Sequence, residues 1–284
     1  MRGLGRLQLL RAVPAGRRWQ STVQLAYTVN APDGPAVRPP MVILHGLFGS
    51  KQNWRAIAKQ LSRTLGCSTY TVDLRNHGDS PHQRPHTYAT MASDIVRFIG
   101  DHQLARPILL GHSMGGKVAM RTALEQPSLV SQLIVDDMVP VPFGLAHDFA
   151  AYVAKLQEIE QAQCESQKRA DQMLGEVEPD VGVRQFLLTN MKKLSGVYRS
   201  RIPLQLLGDS LQSVMDWDCD GEYTGPTLFI GGKRSPYVKP RAYPAMKQMF
   251  PNYQLRELDT GHWVHAEMPR EFMQLVQDFV VQNT

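Results

Sequence analysis

The chain has 284 residues, of which 43% are hydrophobic and 20% are charged, a composition that is ordinary for a globular protein and enough for one large domain with an insertion. No apolar run reaches the roughly 18 to 20 residues that a membrane-spanning helix needs, so no transmembrane segment is expected. The three cysteines, Cys67, Cys164 and Cys219, have no metal-type spacing and favour a reducing compartment over a disulfide framework.

Residues 1–22 form a basic segment with five arginines and no acidic residue. The formal net charge of the whole chain is +5, so subtracting these five charges leaves about zero, and the basic character gives no support for nucleic-acid binding. Leucine and valine residues at loosely helical spacing in this segment are typical of a mitochondrial presequence. The run 17–22 resembles a cleavage site for a matrix protease. We therefore expect a mitochondrial, matrix-directed targeting segment at 1–22, with a disordered basic tail as the alternative.

From residue 23 onward, short apolar segments of strand length alternate with segments of helical spacing. This alternation predicts an α/β fold with a mainly parallel sheet flanked by helices on both faces. In such a sheet, ligands bind at the carboxyl ends of the strands. The predicted strands are 23–29, 41–44, 69–72, a short one that starts at 108 and leads into the turn at residue 113, 129–135, 227–230 and 253–258. The predicted helices outside the insertion are 54–65, 88–102, the one that follows residue 113, 243–249 and 268–281.

The alternation stops between about residues 142 and 214. Helical spacing is predicted at 149–162, 167–174 and 183–194, and no run typical of a buried strand occurs there. We interpret this stretch as a helical cap inserted between two strands of a domain that spans 23–284.

The segment around Ser113 predicts a reactive serine. Gly111, Ser113 and Gly115 form a G-x-S-x-G pattern between an apolar strand and a helix. A serine on a strained strand-to-helix turn needs neighbours with little side chain on each side, and the turn then exposes its hydroxyl.

A serine hydroxyl needs a base within hydrogen-bond reach, and among nine histidines His262 is the candidate. It follows the last predicted strand, in a loop that can turn back towards Ser113. We expect His265 to start a helix or lie on the surface, His112 to point away from the substrate, and His45 to brace a loop.

The acid that orients the histidine is not where it is often found. The loop after strand 227–230 contains no carboxylate, and Ser235 stands in the expected place. The loop after the preceding strand offers Asp136 and Asp137. Since successive side chains of a strand point to opposite sides, only one can face His262. We favour Asp137, which lies further into the turn, and expect Asp136 to brace the loop or cap a helix.

Stabilising an oxyanion requires two backbone N–H donors. Met114, at the helix start after the serine, is one candidate. The other is Leu47, or as the weaker alternative Phe48, in the loop after strand 41–44. Gly46 and Gly49 allow that loop to approach a substrate carbonyl closely.

These segments together resemble the α/β-hydrolase superfamily over about residues 23–282. More narrowly, they are similar to a subfamily that contains the mitochondrial α/β-hydrolase domain-containing protein 11, bacterial esterases and fungal ethanol acetyltransferases. The resemblance implies that the acid follows the strand after the nucleophile helix, in agreement with Asp137, and it supports a mitochondrial location. The matching motifs are His45-Gly46-Leu47-Phe48-Gly49-Ser50-Lys51-x-Asn53, Arg75-Asn76-His77-Gly78-x-Ser80-Pro81-His82, Gly111-His112-Ser113-Met114-Gly115-Gly116-Lys117 and Gly261-His262-Trp263.

The sequence thus predicts a mitochondrial serine hydrolase that cleaves small or medium acyl esters or thioesters, with Ser113, His262 and Asp137 as the catalytic triad and Leu47 and Met114 as the oxyanion hole. No metal or other cofactor is implied, and the sequence identifies no protein partner. One alternative is an alcohol O-acetyltransferase that uses acetyl-CoA and the same triad. A second is a non-catalytic binding protein that keeps the hydrolase fold.

Overall fold

The computed structural model describes residues 22–143 and 147–284. The predicted targeting segment lies outside these described residues, except for Thr22. Within the described ranges, no helix combines the length and the apolar character needed to cross a membrane.

A seven-stranded sheet forms the centre of the fold. Its strands are β1 (Tyr27–Asn30), β2 (Met41–Leu44), β3 (Thr69–Val72), β4 (Ile108–His112), β5 (Gln132–Asp136), β8 (Thr227–Gly232) and β9 (Tyr253–Leu258). Across the sheet they lie in the order β1-β3-β2-β4-β5-β8-β9. All neighbouring strands are parallel except β1 and β3, which confirms the predicted mainly parallel sheet.

The first strand begins later than the predicted span of 23–29. The backbone N–H groups of Val23 and Ala26 donate to the side chains of Asp94 and Ser80, at 2.9 and 2.8 Å. Because side chains take these donors, residues 23–26 do not join the ladder, and pairing with β3 starts at Tyr27.

The central strands are covered on both faces, which explains their continuous apolar runs. In β2, Val42 and Leu44 belong to one hydrophobic cluster, and Met41 and Ile43 belong to a second cluster across the sheet. Helices α2 (Tyr88–Asp101), α3 (Met114–Glu125) and α9 (Tyr243–Met249) pack into the first cluster. Helices α1 (Arg55–Leu65), α10 (Val264–Glu267) and α11 (Pro269–Gln282) pack into the second.

Within its described residues, the insertion between β5 and β8 contains five helices and one hairpin. The helices are α4 (His147–Gln161), α5 (Gln167–Leu174), α6 (Val181–Leu188), α7 (Leu204–Asp209) and α8 (Leu211–Met215). The predicted helix 183–194 is wrong beyond Leu188, because β6 (Met191–Leu194) pairs with β7 (Val197–Ser200) in an antiparallel hairpin. The two residues of its turn, Ser195 and Gly196, both have positive φ, as the favoured two-residue hairpin turns require.

Candidate active site

Ser113 occupies a sharp turn between β4 and α3, with φ +52° and ψ −120°. A Cβ atom at Gly111 would lie 2.2 Å from the carbonyl oxygen of Gly115, and one at Gly115 would lie 2.4 Å from that of Leu44. Neither contact is sterically possible, so both flanking positions require glycine if the turn is to form. Ser113 is 8% exposed, which leaves its hydroxyl at the surface of a cavity.

A continuous hydrogen-bond chain joins the three residues predicted to act together. The Oγ atom of Ser113 lies 3.0 Å from Nε2 of His262, and Nδ1 of His262 lies 2.6 Å from Oδ2 of Asp137. A carboxylate at Nδ1 favours the tautomer with its proton on that nitrogen, so Nε2 is free to accept the serine proton. This is the geometry that a serine nucleophile and its base require.

The carboxylate of Asp137 is fully buried and receives further hydrogen bonds from the loop after β8. The N–H of Gly232 donates to its Oδ1 at 2.9 Å, and the hydroxyl of Ser235 donates to its Oδ2. From the sequence alone, Ser235 is only the residue that stands where an acid is often found. The structure gives that position a function, because its hydroxyl points at the acid supplied by the neighbouring strand.

Asp136 points to the other side of the sheet and does not reach His262. Its Oδ2 lies 2.6 Å from Nδ1 of His265. Burial raises the pKa of the Asp136 carboxyl, and the neighbouring His265 opposes that shift. His265 lies at the start of α10, in agreement with the expectation that it starts a helix. It is buried, and its ring stacks on that of Trp54 at 4.1 Å between ring centroids. The expectation of a surface position is therefore wrong, since Trp54 and Asp136 enclose the ring.

Two further histidines support the site without touching the Ser113 hydroxyl. Nε2 of His112 donates to the carbonyl oxygen of His262 at 3.0 Å. Nδ1 of His45 donates to the carbonyl oxygen of Gly46 at 2.8 Å, and its Nε2 accepts from the N–H of Leu74 at 3.0 Å. Burial lowers the pKa of both His112 and His45 below that of an exposed histidine. Both rings therefore act as neutral braces.

The loop after β2 distinguishes between the two candidates for the second oxyanion donor. The N–H of Phe48 already donates to Nε2 of His77 at 3.2 Å, so it is not available to a substrate. Among the described residues, neither the N–H of Leu47 nor that of Met114 has an acceptor within the protein. The carbonyl oxygen of Phe48 accepts a hydrogen bond of 2.8 Å from Nδ2 of Asn190 in the cap. The structure thus excludes Phe48 and leaves Leu47 and Met114 free.

A cavity of about 250 Å³ lies in front of Ser113, between the loop after β2 and the cap. Tyr237 packs against the ring of His262 at 4.4 Å between centroids, and Trp263 packs on Phe186 of α6 at 6.0 Å. Aromatic and aliphatic side chains make up most of the wall, which suits an apolar acyl or alcohol group.

Of the described residues, His112, Asp136 and His265 place possible metal-ligating atoms within 4.8 Å of one another. Nδ1 of His265 and Nε2 of His112 are already engaged, the first with Asp136 and the second with the carbonyl of His262. The cluster therefore serves as hydrogen-bonded support beneath His262.

The chain is similar to several known proteins. The chain matches the model of a family described as alpha/beta hydrolase fold over residues 39–269. It is 39% identical to the sn-1-specific diacylglycerol lipase ABHD11 of Danio rerio, across 98% of this chain and 88% of that protein. It is also 39% identical to a Saccharomyces cerevisiae protein named "Probable alcohol acetyltransferase", across 90% of this chain and 81% of that protein. A solved structure named marine microorganism esterase matches with a TM-score of 0.84 and 31% identity, across 91% of this chain and 100% of that one.

Proposed function

The chain belongs to the α/β-hydrolase family and is an esterase-type enzyme, and from that premise we propose that it cleaves carboxylic esters or thioesters through an acyl-serine intermediate. The observation that carries the proposal is the unbroken chain of hydrogen bonds from Ser113 through His262 to Asp137. It provides a nucleophile, a base and an orienting acid in one line.

In the first half of the reaction, Oγ of Ser113 attacks the acyl carbon while Nε2 of His262 takes the hydroxyl proton. The negative charge that develops on the carbonyl oxygen is stabilised by the N–H groups of Leu47 and Met114, and one such donor is worth about 3 to 4 kcal/mol. Asp137 stabilises the imidazolium that forms. His262 then gives the proton to the leaving alcohol or thiol, and the acyl group remains on Ser113.

In the second half, water takes the place of the leaving group. His262 removes a proton from the water, whose oxygen attacks the acyl carbon. The bond between that carbon and Oγ of Ser113 then breaks, His262 returns the proton to Oγ, and the free acid leaves. The cavity of about 250 Å³ between Ser113 and the cap is large enough for a small or medium acyl ester.

Acyl transfer to an alcohol is the second candidate function. It is supported by the 39% identity to the yeast protein named "Probable alcohol acetyltransferase", which equals the identity to the zebrafish lipase. The two reactions share every step up to the acyl-enzyme and differ in whether water or an alcohol attacks it. Incubation with acetyl-CoA and ethanol separates them, since hydrolysis gives free acetate and transfer gives ethyl acetate.

A panel of acyl esters and acyl-CoA thioesters of increasing chain length tests the proposed hydrolysis. We expect turnover of several members by the wild type and none by Ser113→Ala at equal folded concentration. Turnover by Ser113→Ala at the wild-type rate would refute the acyl-serine mechanism.

We further propose that residues 1–22 direct the protein to the mitochondrial matrix. The support is the sequence itself, with five arginines, no acidic residue and loosely helical apolar spacing. A fluorescent reporter fused to residues 1–25 is expected to enter mitochondria, and the same fusion with the five arginines changed to glutamine is expected to stay outside. A wild-type fusion that remains cytosolic would contradict the proposal.

A further inference from the structure

A second, smaller cavity also reaches Ser113. Its walls include the nucleophile together with Leu47 and Met114, the two expected oxyanion donors. It measures about 20 Å³, which is room for roughly one water-sized group. An acyl group on Ser113 therefore borders two spaces of different size. The smaller one takes a short acyl group only when its walls move apart, and the larger one takes the rest of the substrate.

Lys117 lines the small cavity. It lies one helical turn after Ser113, with its N–H bonded to the carbonyl oxygen of Ser113 at 3.1 Å, and its side chain is only 1% exposed. The ammonium nitrogen lies 5.0 Å from the ring centre of Phe143 and 5.4 Å from that of Tyr88. Both rings line the same cavity, so the charged end of Lys117 lies beside its walls.

In the described part of the chain, the ammonium group of Lys117 makes no salt bridge with a carboxylate. It donates to the backbone carbonyl oxygens of Asp216 at 2.9 Å and Met215 at 3.4 Å, and an ammonium has three donors. The third donor has no acceptor among the described residues. Burial lowers the pKa of Lys117 to about 7, and the nearby Asp216 opposes that shift.

A buried cation without a paired anion is costly, and a methionine would fill the same space without that cost. A cation that lines the same cavity as the nucleophile has a direct use in substrate recognition. A carboxylate at the far end of an acyl group could accept a hydrogen bond from the unused N–H of Lys117 and pair with its positive charge.

We propose that the cavity between Ser113 and Lys117 is an acyl site that selects short acyl groups ending in a carboxylate, with Lys117 as the residue that recognises that end. The inference rests on the proposed ester hydrolysis and specifies its substrate class. Lys117 follows Ser113 by one helical turn, and both residues line this one small cavity. Met114, Met138 and Met215 line the cavity, and such flexible side chains can widen it around a ligand.

The competing role for Lys117 is purely structural. Its ammonium meets carbonyl oxygens at the end of α8, where a cation stabilises a helix C-terminus. That role predicts the same dependence on Lys117 for every substrate, whereas acyl recognition predicts a dependence that changes with the charge of the acyl group.

Two pairs of ethyl esters with the same leaving group separate these roles. Monoethyl succinate is compared with ethyl butanoate, and monoethyl malonate with ethyl propanoate, by the rate of ethanol release. In the wild type we expect kcat/KM for each anionic ester to equal or exceed that of its neutral partner. In Lys117→Met the ratio of anionic to neutral kcat/KM should fall by at least about tenfold, as expected when a charged hydrogen bond is lost. Lys59→Met, the same chemical change at an exposed position of α1, is the matched control and should keep the wild-type ratio.

An unchanged ratio in Lys117→Met would overturn the inference in favour of the structural role. If that variant does not fold, the wild type still decides, because a kcat/KM for the anionic ester below about one hundredth of the neutral one would mean that no cation receives the carboxylate. Hydrolysis of the neutral esters alone contradicts only this inference. Ethanol release from none of the four esters contradicts the proposed hydrolysis and this inference with it.

Discussion

At the scale of single residues, the proposed site depends on which of two adjacent aspartates faces His262. The Asp137 carboxylate accepts hydrogen bonds from His262, Gly232 and Ser235, whereas the Asp136 carboxylate, among the described residues, meets only His265. Both carboxylates are fully buried, so their different partners, and not their exposure, separate their roles.

Asp137→Asn should lower kcat by about three to four orders of magnitude, because an amide in that place favours the wrong tautomer of His262 and cannot stabilise its charged form. Steady-state kinetics on an activated acyl ester measure the effect. Asp136→Asn is the matched control, with the same chemical change one residue earlier, and it should cost much less. The reverse order of the two variants would overturn the assignment of the acid.

Sequence patterns located Ser113, His262 and Asp137, which the structure brings within hydrogen-bond distance. They could not assign the role of Ser235, because its contact with Asp137 joins positions 98 residues apart, in the loops that follow two neighbouring strands. Likewise, the choice of Leu47 over Phe48 depends on His77, whose position relative to the loop no local pattern encodes.

At the scale of elements, the turn at Ser113 forms only if its flanking positions lack side chains. Gly115→Ala is expected to destabilise the fold by several kcal/mol, because its methyl group would meet the carbonyl of Leu44 at 2.4 Å. Gly100→Ala is the control, since it lies inside α2 with nothing within 4 Å of the added methyl group. It should stabilise the protein by about 0.5 to 1 kcal/mol. Urea unfolding measures both, and equal stability of the two variants would contradict the steric account of the turn.

Among the described residues, one buried hydrogen bond joins the cap to the loop after β2, from Nδ2 of Asn190 to the carbonyl oxygen of Phe48. Asn190→Ala should lower kcat by roughly tenfold with little change in KM. Without this hydrogen bond the N–H of Leu47 is less well fixed, and the transition state depends on that donor more than the bound substrate does. Thr189→Ala, at the exposed neighbouring position, should keep the wild-type kcat. A rise in KM alone for Asn190→Ala would show that the bond serves substrate binding and not the oxyanion.

Helices and buried strands could be predicted where their periodicity is strong, and α5, α9 and β9 have the predicted bounds. The hairpin of β6 and β7 could not, since its strands are short, largely exposed and rich in lysine and arginine, without the alternation that identifies a half-buried strand. Its turn depends on positive φ at Ser195, which serine adopts only in a suitable context.

At the scale of the whole molecule, several histidines are buried in a neutral form around the site. Burial lowers the pKa of His86 to about 3 and holds those of His77 and His112 well below the usual value. In the unfolded chain these groups titrate near 6.5, so below that pH the unfolded state binds more protons than the folded state. Stability is therefore retained above about pH 6.5 and lost as the pH falls below it.

From pH 7.5 to pH 5.5, each such histidine should cost about 1.4 kcal/mol, or roughly 4 kcal/mol for the three. The buried carboxyls of Asp94 and Asp136 have raised pKa values and oppose part of this loss. We expect a net decrease of about 2 to 4 kcal/mol in the free energy of unfolding. Urea titrations at the two pH values, followed by tryptophan fluorescence, test this, and an equal or higher stability at pH 5.5 would contradict it.

The central claim for the whole molecule is that Ser113 is the activated nucleophile of an acyl-transfer site. The most direct measurement is covalent labelling with a fluorophosphonate probe, followed by mass spectrometry of the peptide that carries the label. We predict rapid labelling of Ser113 in the wild type, strongly slowed labelling in His262→Ala, and none in Ser113→Ala. A wild type that resists the probe, or a Ser113→Ala variant that reacts equally well, would contradict this account of the site.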